Sequence, residues 1–235
     1  MLPDAALHRP PALADLRGTA AVFNGFTNAD ASWLRLVADT APGPDPGRAD
    51  HRALLHRWLN TWGCRIRYPH SGEPAPFEES VAAWWQASQT ALPETSLARL
   101  TDAGIDAAAG SYASLARVRV SAGGAARTLG PTAAAKLLYA LRPAAIMPWD
   151  AAIAIRMHGA RDGAAFGRHL RLGRSWARAV IAETGADETT LPVLIGRPAI
   201  SLAKILDEHL YVTITRAARA SGAGPVGTAG RALKG

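Results

Sequence analysis

An all-α fold is predicted by three features of the sequence. Hydrophobic residues make up 49% of the 235 positions, much of that alanine, which favours helix over sheet. Several segments repeat apolar residues at helical spacing. No stretch alternates apolar and polar residues for long enough to require a sheet. A chain of this length can bury a substantial core as one domain or as compact helical lobes with a cleft between them.

Taken in order, Met1 to Gly18 is Pro- and Ala-rich and reads as a loose arm, followed by a short helix at Asp30–Asp39. Ala41 to Gly47 is too dense in proline and glycine for regular structure and reads as a linker. Asp50–Trp62 spaces Leu54, Leu55, Trp58 and Leu59 for one buried face, so it is expected to be an amphipathic helix. Further helices are expected at Phe77–Gln89, Leu97–Val120, Ala151–His158, Ala164–Glu183 and Ser201–Ala218. Ser121 to Gly124 breaks the pattern, and the tail from Ser221 carries Arg231 and Lys234 without an acid. The expected organisation is an arm and short helix over 1–47, a helical domain over 48–218 and a flexible basic tail over 219–235. Trp58, Trp84, Trp85 and Trp176 are expected in the core, and His51 and His56 on a solvated face.

The formal charge of +7 suits a polyanionic partner, because each cation placed on a phosphate releases counterions. A single cysteine, Cys64, excludes an internal disulfide, a four-cysteine cluster and a Cys-based zinc knuckle. The seven histidines show no metal-site spacing, so no metal is expected. No segment is long and apolar enough to span a bilayer and no secretory signal is visible, which points to the cytoplasm and to no membrane partner.

Residues 128–150, TLGPTAAAKLLYALRPAAIMPWD, hold the chemistry. The Leu-Gly-Pro-Thr turn leads into a helix whose first backbone N–H groups are free to take a phosphate. Gly130 removes a Cβ from the approach, Pro131 suits the first helical position, and Thr132 and Lys136 follow on the same helix. No acid occurs between Asp106 and Asp150, whereas Arg117, Arg119, Arg127, Lys136 and Arg142 all fall there. Asp150 ends that basic run at the start of the next helix, where the dipole favours an anion.

A hairpin glycine, a helix of small residues and a Pro-x-Asp corner, with Asp150 20 positions after Gly130, resemble the helix-hairpin-helix DNA glycosylase superfamily. RWLNTWGCR (57–65) and GRPAISLAKILDEHLYVTIT (196–215) are similar to its bacterial oxoguanine-glycosylase-fold branch. The resemblance covers most of Arg57–Thr215. It implies double-stranded DNA as partner, Arg127, Gly130, Thr132 and Lys136 on the DNA backbone, and Asp150 as the catalytic carboxylate beside a flipped nucleotide. Some relatives of that branch resemble phage-defence enzymes that remove bulky modified cytosines. Bifunctional members carry a lysine two residues after the hairpin glycine. This chain has Thr132 there, so hydrolysis to an abasic site is expected, with Lys136 in a secondary role and lyase activity absent.

Asn60, Trp62, Arg65, Trp149, Asp207 and Tyr211 are the candidates for the base pocket, the tryptophans by stacking and the polar groups by reading the base edge. The expected state is a monomer without cofactor, a monovalent cation at the hairpin being left open. Alternatives are a repair glycosylase for oxidised guanine, a non-catalytic DNA-binding protein using the same hairpin, and a helical protein whose basic charge meets an acidic protein.

Overall fold

The structure is a computed structural model of the chain and describes residues 7–25, 27–70, 72–121 and 127–220. All regular elements among them are helical, and a single isolated antiparallel bridge joins Arg119 and Thr128. None of these helices is long and apolar enough to cross a membrane.

The N-terminal half opens with α1 (Leu13–Phe23) and α2 (Thr27–Asp39), then α3 (Ala49–Thr61) and α4 (Pro76–Ser88). Helix α1 overturns part of the loose-arm expectation. Leu16, Ala20 and Phe23 are spaced for one face and are buried, so the segment packs rather than dangles. Residues 41–47 form the expected irregular connector between α2 and α3, which pack on each other.

The 97–120 stretch is shorter in helix than its propensity suggests. A 3-10 turn at Leu97–Arg99 precedes α5 (Asp102–Ala116), which starts where the Thr101 hydroxyl accepts the Gly104 N–H. After α5 the backbone runs out and back: Val120 N donates to Arg127 O, Leu129 N to Val118 O and Gly130 N to Ala116 O. The tip, 122–126, lies outside the described residues and includes most of the expected Ser121–Gly124 break.

Helix α6 (Pro131–Leu141) runs through the core, with Ala133, Ala134, Ala135, Leu137, Leu138, Tyr139 and Ala140 all buried. A helix apolar on nearly every side must be covered on nearly every side. Helix α7 (Ala151–His158) and the long α8 (Gly163–Thr184) follow, each capped at its start by an aspartate, Asp150 and Asp162. α8 lies tightly on α5. A Cβ added at Gly163 would meet Ala113 Cβ at 3.0 Å and Ala109 O at 3.1 Å, so glycine sets that approach. The chain then forms α9 (Leu191–Ile195), which the sequence did not suggest, and α10 (Leu202–Leu210). The single helix expected over Ser201–Ala218 is interrupted: Tyr211–Arg216 winds as a π-helical turn before a short α11 (Ala217–Ala220). The tail from Ser221 lies outside the described residues.

Trp58, Trp84, Trp85 and Trp176 are buried as expected. His51 and His56 are also buried, against expectation. His51 Nδ1 accepts the Asp45 N–H, and His56 sits between the rings of Tyr68 and Phe77. Packing of the imidazoles on aromatic rings and loop backbone accounts for the difference.

Candidate functional site

One large pocket, about 1290 Å³, opens between the N-terminal helices, the α6–α7 corner and the C-terminal π-helical turn. Asp150 lies on its wall. Its Oδ1 accepts the Ile153 N–H at 2.9 Å, the N-cap bond that starts α7, and its Oδ2 accepts the Thr215 hydroxyl at 2.8 Å. Among the described residues no Lys or Arg lies within ion-pair distance of this half-buried carboxylate. The Asp150 carboxylate is therefore held by two hydrogen-bond donors on the pocket wall, with Lys136 close enough to interact but not to pair.

The corner that delivers Asp150 is held from behind. Pro148 O accepts a bond from His169 Nε2 at 3.2 Å, and His158 Nε2 meets His169 Nδ1 at 3.1 Å. A carbonyl only accepts, so His169 carries its proton on Nε2 and His158 donates to the free Nδ1. Burial, reinforced by mutual repulsion, pushes His169 down to about 3. Burial, with Arg168 nearby, pushes His158 down to about 4. Both are then neutral in the folded protein at pH 7, while an unfolded chain titrates them near the ordinary value of 6.5. Acidification protonates the unfolded chain first, so stability is full above about 6.5 and falls as pH drops towards 3. The expected loss between pH 6.5 and 5 is about 2 kcal/mol for each histidine that stays neutral. Urea midpoints across that window check it. His169→Gln should flatten the slope by the share of one proton, and an unchanged slope would refute the assignment.

Trp149 was expected to stack on a base. It is instead 1% exposed, packed among Tyr112, Phe166, His158 and His169, and only grazes the pocket. It backs the Asp150 corner. Trp62 does line the pocket, half-buried, with its indole N–H on Ser32 Oγ and the ammonium groups of Lys136 and Lys204 at 5.6 and 5.2 Å from its ring centre. Cation–π attraction of this kind holds both amines over one ring.

Lys136 was expected on a DNA phosphate. The structure turns it inward: Nζ donates to Trp62 O at 2.5 Å and lies on the pocket wall. Burial pulls its pKa below the usual lysine range, while Cys64, Asp207 and Asp150 act in the opposite direction. The same burial pushes the Cys64 thiol up. An α6 buried on most sides leaves its one long polar side chain no other exit.

Asn60, expected to read a base, does not line the pocket. Its Oδ1 accepts the Ile66 N–H and its Nδ2 donates to Ile66 O, both at 2.7 Å, closing the Trp62–Ile66 loop. That closure holds Arg65 at φ 55, the left-handed region that costs a non-glycine residue about 1–2 kcal/mol. Arg65 stands at the pocket rim, as does Arg161, and among the described residues neither pairs with a carboxylate. Thr132 lines the pocket, whereas Gly130 does not, and its N–H is already committed to Ala116 O. Arg127 is exposed in the bridged segment, away from the pocket lining.

Asp207 and Tyr211 do line it. Asp207 receives the Lys204 ammonium at 2.6 Å. Burial raises Asp207 towards its neutral form, and Lys204 opposes that shift. Tyr211 packs edge-on to Phe23, and its hydroxyl accepts from Arg219 at 3.4 Å. Thr215, Lys204, Phe23 and Arg161 belong to this site and were not picked out from the sequence. Among the described residues no group of three His, Cys, Asp or Glu side chains is placed to hold a metal ion.

No protein-family model, curated protein or solved structure matches the chain.

Proposed function

We propose that this chain is a monofunctional DNA N-glycosylase that turns a modified base into the pocket and hydrolyses its bond to the sugar, with Asp150 as the catalytic carboxylate. The observation that carries the reading is Asp150 itself: a helix-capping carboxylate with no cation within ion-pair distance among the described residues, on the wall of a large pocket that Arg65 and Arg161 also line. Loss of a base leaves positive charge on the sugar ring. A fixed carboxylate stabilises that charge more than it stabilises the neutral substrate, and it orients the water that adds to C1′ while the base departs with a proton. Trp62 offers a face for stacking, and the start of α6 near Thr132 offers free backbone N–H groups to a phosphate. The resemblance of residues 128–150 to helix-hairpin-helix glycosylases points the same way.

The pocket exceeds the ~1000 Å³ upper end of ordinary ligand sites. Such room suits a bulky base, a glucosylated hydroxymethylcytosine of phage DNA for instance, better than oxidised guanine, the second reading. The test is to incubate the protein with plain duplex, duplex carrying 8-oxoguanine and duplex carrying the glucosylated cytosine, then to score alkali-labile abasic sites. Sites on the glucosylated duplex alone are expected, without strand cleavage before alkali and without a borohydride-trapped complex. A trapped complex would reassign Lys136 as a nucleophile. DNA binding without abasic sites on any of the three would favour a non-catalytic module.

A further inference from the structure

Helical threonines in this protein have a habit. Thr19, Thr61, Thr184 and Thr213 each bond the carbonyl four residues back, on Asp15, Arg57, Val180 and His209. A buried hydroxyl in a helix has that acceptor at hand and ordinarily takes it. Thr215 is 4% exposed and does something else: its hydroxyl donates to Asp150 Oδ2, 65 residues away in sequence, at 2.8 Å. It does so from the π-helical turn Tyr211–Arg216. Thr213 in the same turn still reaches its carbonyl, so what distinguishes Thr215 is the direction in which its position points relative to α10. Such turns are uncommon and cluster at functional sites.

The two bonds on Asp150 divide its oxygens. The Ile153 N–H holds Oδ1 and the Thr215 hydroxyl holds Oδ2, so the carboxylate is not free to rotate. A β-branched side chain with a restricted χ1 is a stiff support for the second bond. We propose that Thr215 is a positioning residue for Asp150, and that the π-helical turn exists in this chain to aim its hydroxyl at that carboxylate. The inference rests on the glycosylase reading and adds a residue to it.

The test needs no knowledge of the excised base. A duplex with a cationic pyrrolidine in place of one nucleotide's sugar and base mimics the charge of the transition state. A duplex with neutral tetrahydrofuran there is its control. Wild type is expected to prefer the pyrrolidine duplex, and Asp150→Asn to lose that preference. Thr215→Val, matched in shape but without the hydroxyl, should cut the preference about tenfold, or about 1.4 kcal/mol, close to the low end for hydrogen bonds to charged groups. Thr215→Ser should restore most of it. Should the valine variant not fold by circular dichroism, Thr215→Cys, a weak donor, is read by the same ratio. A wild-type ratio in Thr215→Val beside a lost one in Asp150→Asn overturns the role of Thr215 alone. An equal loss of affinity for both duplexes in Thr215→Val also overturns it, as a structural effect. No preference in the wild type overturns the carboxylate reading and this inference with it.

Discussion

Asp150→Asn should abolish base excision, by about a thousandfold or more, while the protein stays folded and on DNA. Removing a single preorganised group that faces developing charge costs about 10²–10³ in rate where that group is a neutral donor. A full charge against a cationic sugar belongs at or above the top of that range. The substitution is otherwise gentle. Asparagine is as good an N-cap as aspartate, so the bond to Ile153 N–H survives and α7 keeps its start. The amide nitrogen then takes the place of Oδ2, and the Thr215 hydroxyl can turn to accept from it. If the proposed reading holds and this face meets phosphates, removing an anion from it should tighten DNA binding slightly. Single-turnover excision on the duplex identified by the substrate panel, with binding by gel shift, reads both quantities. Wild-type turnover in this variant would end the enzyme reading. Asp150→Ala is the less informative change, because it also removes a cap worth about 1 kcal/mol.

Legibility in the sequence varied for physical reasons. The place of Asp150 at a helix start was legible because its clues are local: a proline two residues before and a helix-forming run after. Most helices were legible for the same reason, since amphipathic spacing is local. Lys136 was placed on the wrong partner because α6 is alanine and leucine on nearly every side. With no polar face to set outside from inside, nothing in the segment says that its lysine faces a pocket. Asn60 was misplaced because its partners are the backbone groups of Ile66, reached only through a loop with Gly63 and Arg65 at positive φ. Trp149 was read as a stacking ring because exposure cannot be judged from a residue type that serves cores and interfaces alike. Thr215 closes the 196–215 segment, but nothing local marks its hydroxyl for a role. Its role depends on a π-helical register, and the sequence Tyr211–Arg216 is an ordinary helical string of apolar and threonine residues.

The largest stability effect should come from Arg197, to which the sequence alone assigned no role. Its guanidinium is 6% exposed and forks onto two carboxylates at once. NH1 and NH2 reach Asp30 at 2.5 and 2.8 Å, while Nε and NH2 reach Glu208 at 3.1 and 2.8 Å. NH1 also donates to Asn24 Oδ1 at 2.7 Å, and the group lies 5.3 Å from the centre of the Phe23 ring. Burial alone would lower its pKa, but Asp30 and Glu208 outweigh that and raise it. Arg197 thus ties the end of α1 and the start of α2 to α10, the helix that carries Lys204 and Asp207 to the pocket. Arg197→Met leaves Glu208 buried at 1% exposure with, among the described residues, only Lys204 at 3.8 Å as a neighbouring cation. Breaking a buried pair from one side costs about 3–5 kcal/mol. In a chain of this size that is a fall in Tm of roughly 6–20 °C. The cost arises chiefly from the stranded Glu208, since Asp30 is 29% exposed and can reach water, so adding Glu208→Gln to Arg197→Met should recover about half or more of it. Thermal and urea unfolding of the two single variants and the double variant test this. A loss under about 1 kcal/mol in Arg197→Met, or no recovery in the double variant, would mean that packing against Phe23, and not the charge, is what Arg197 supplies.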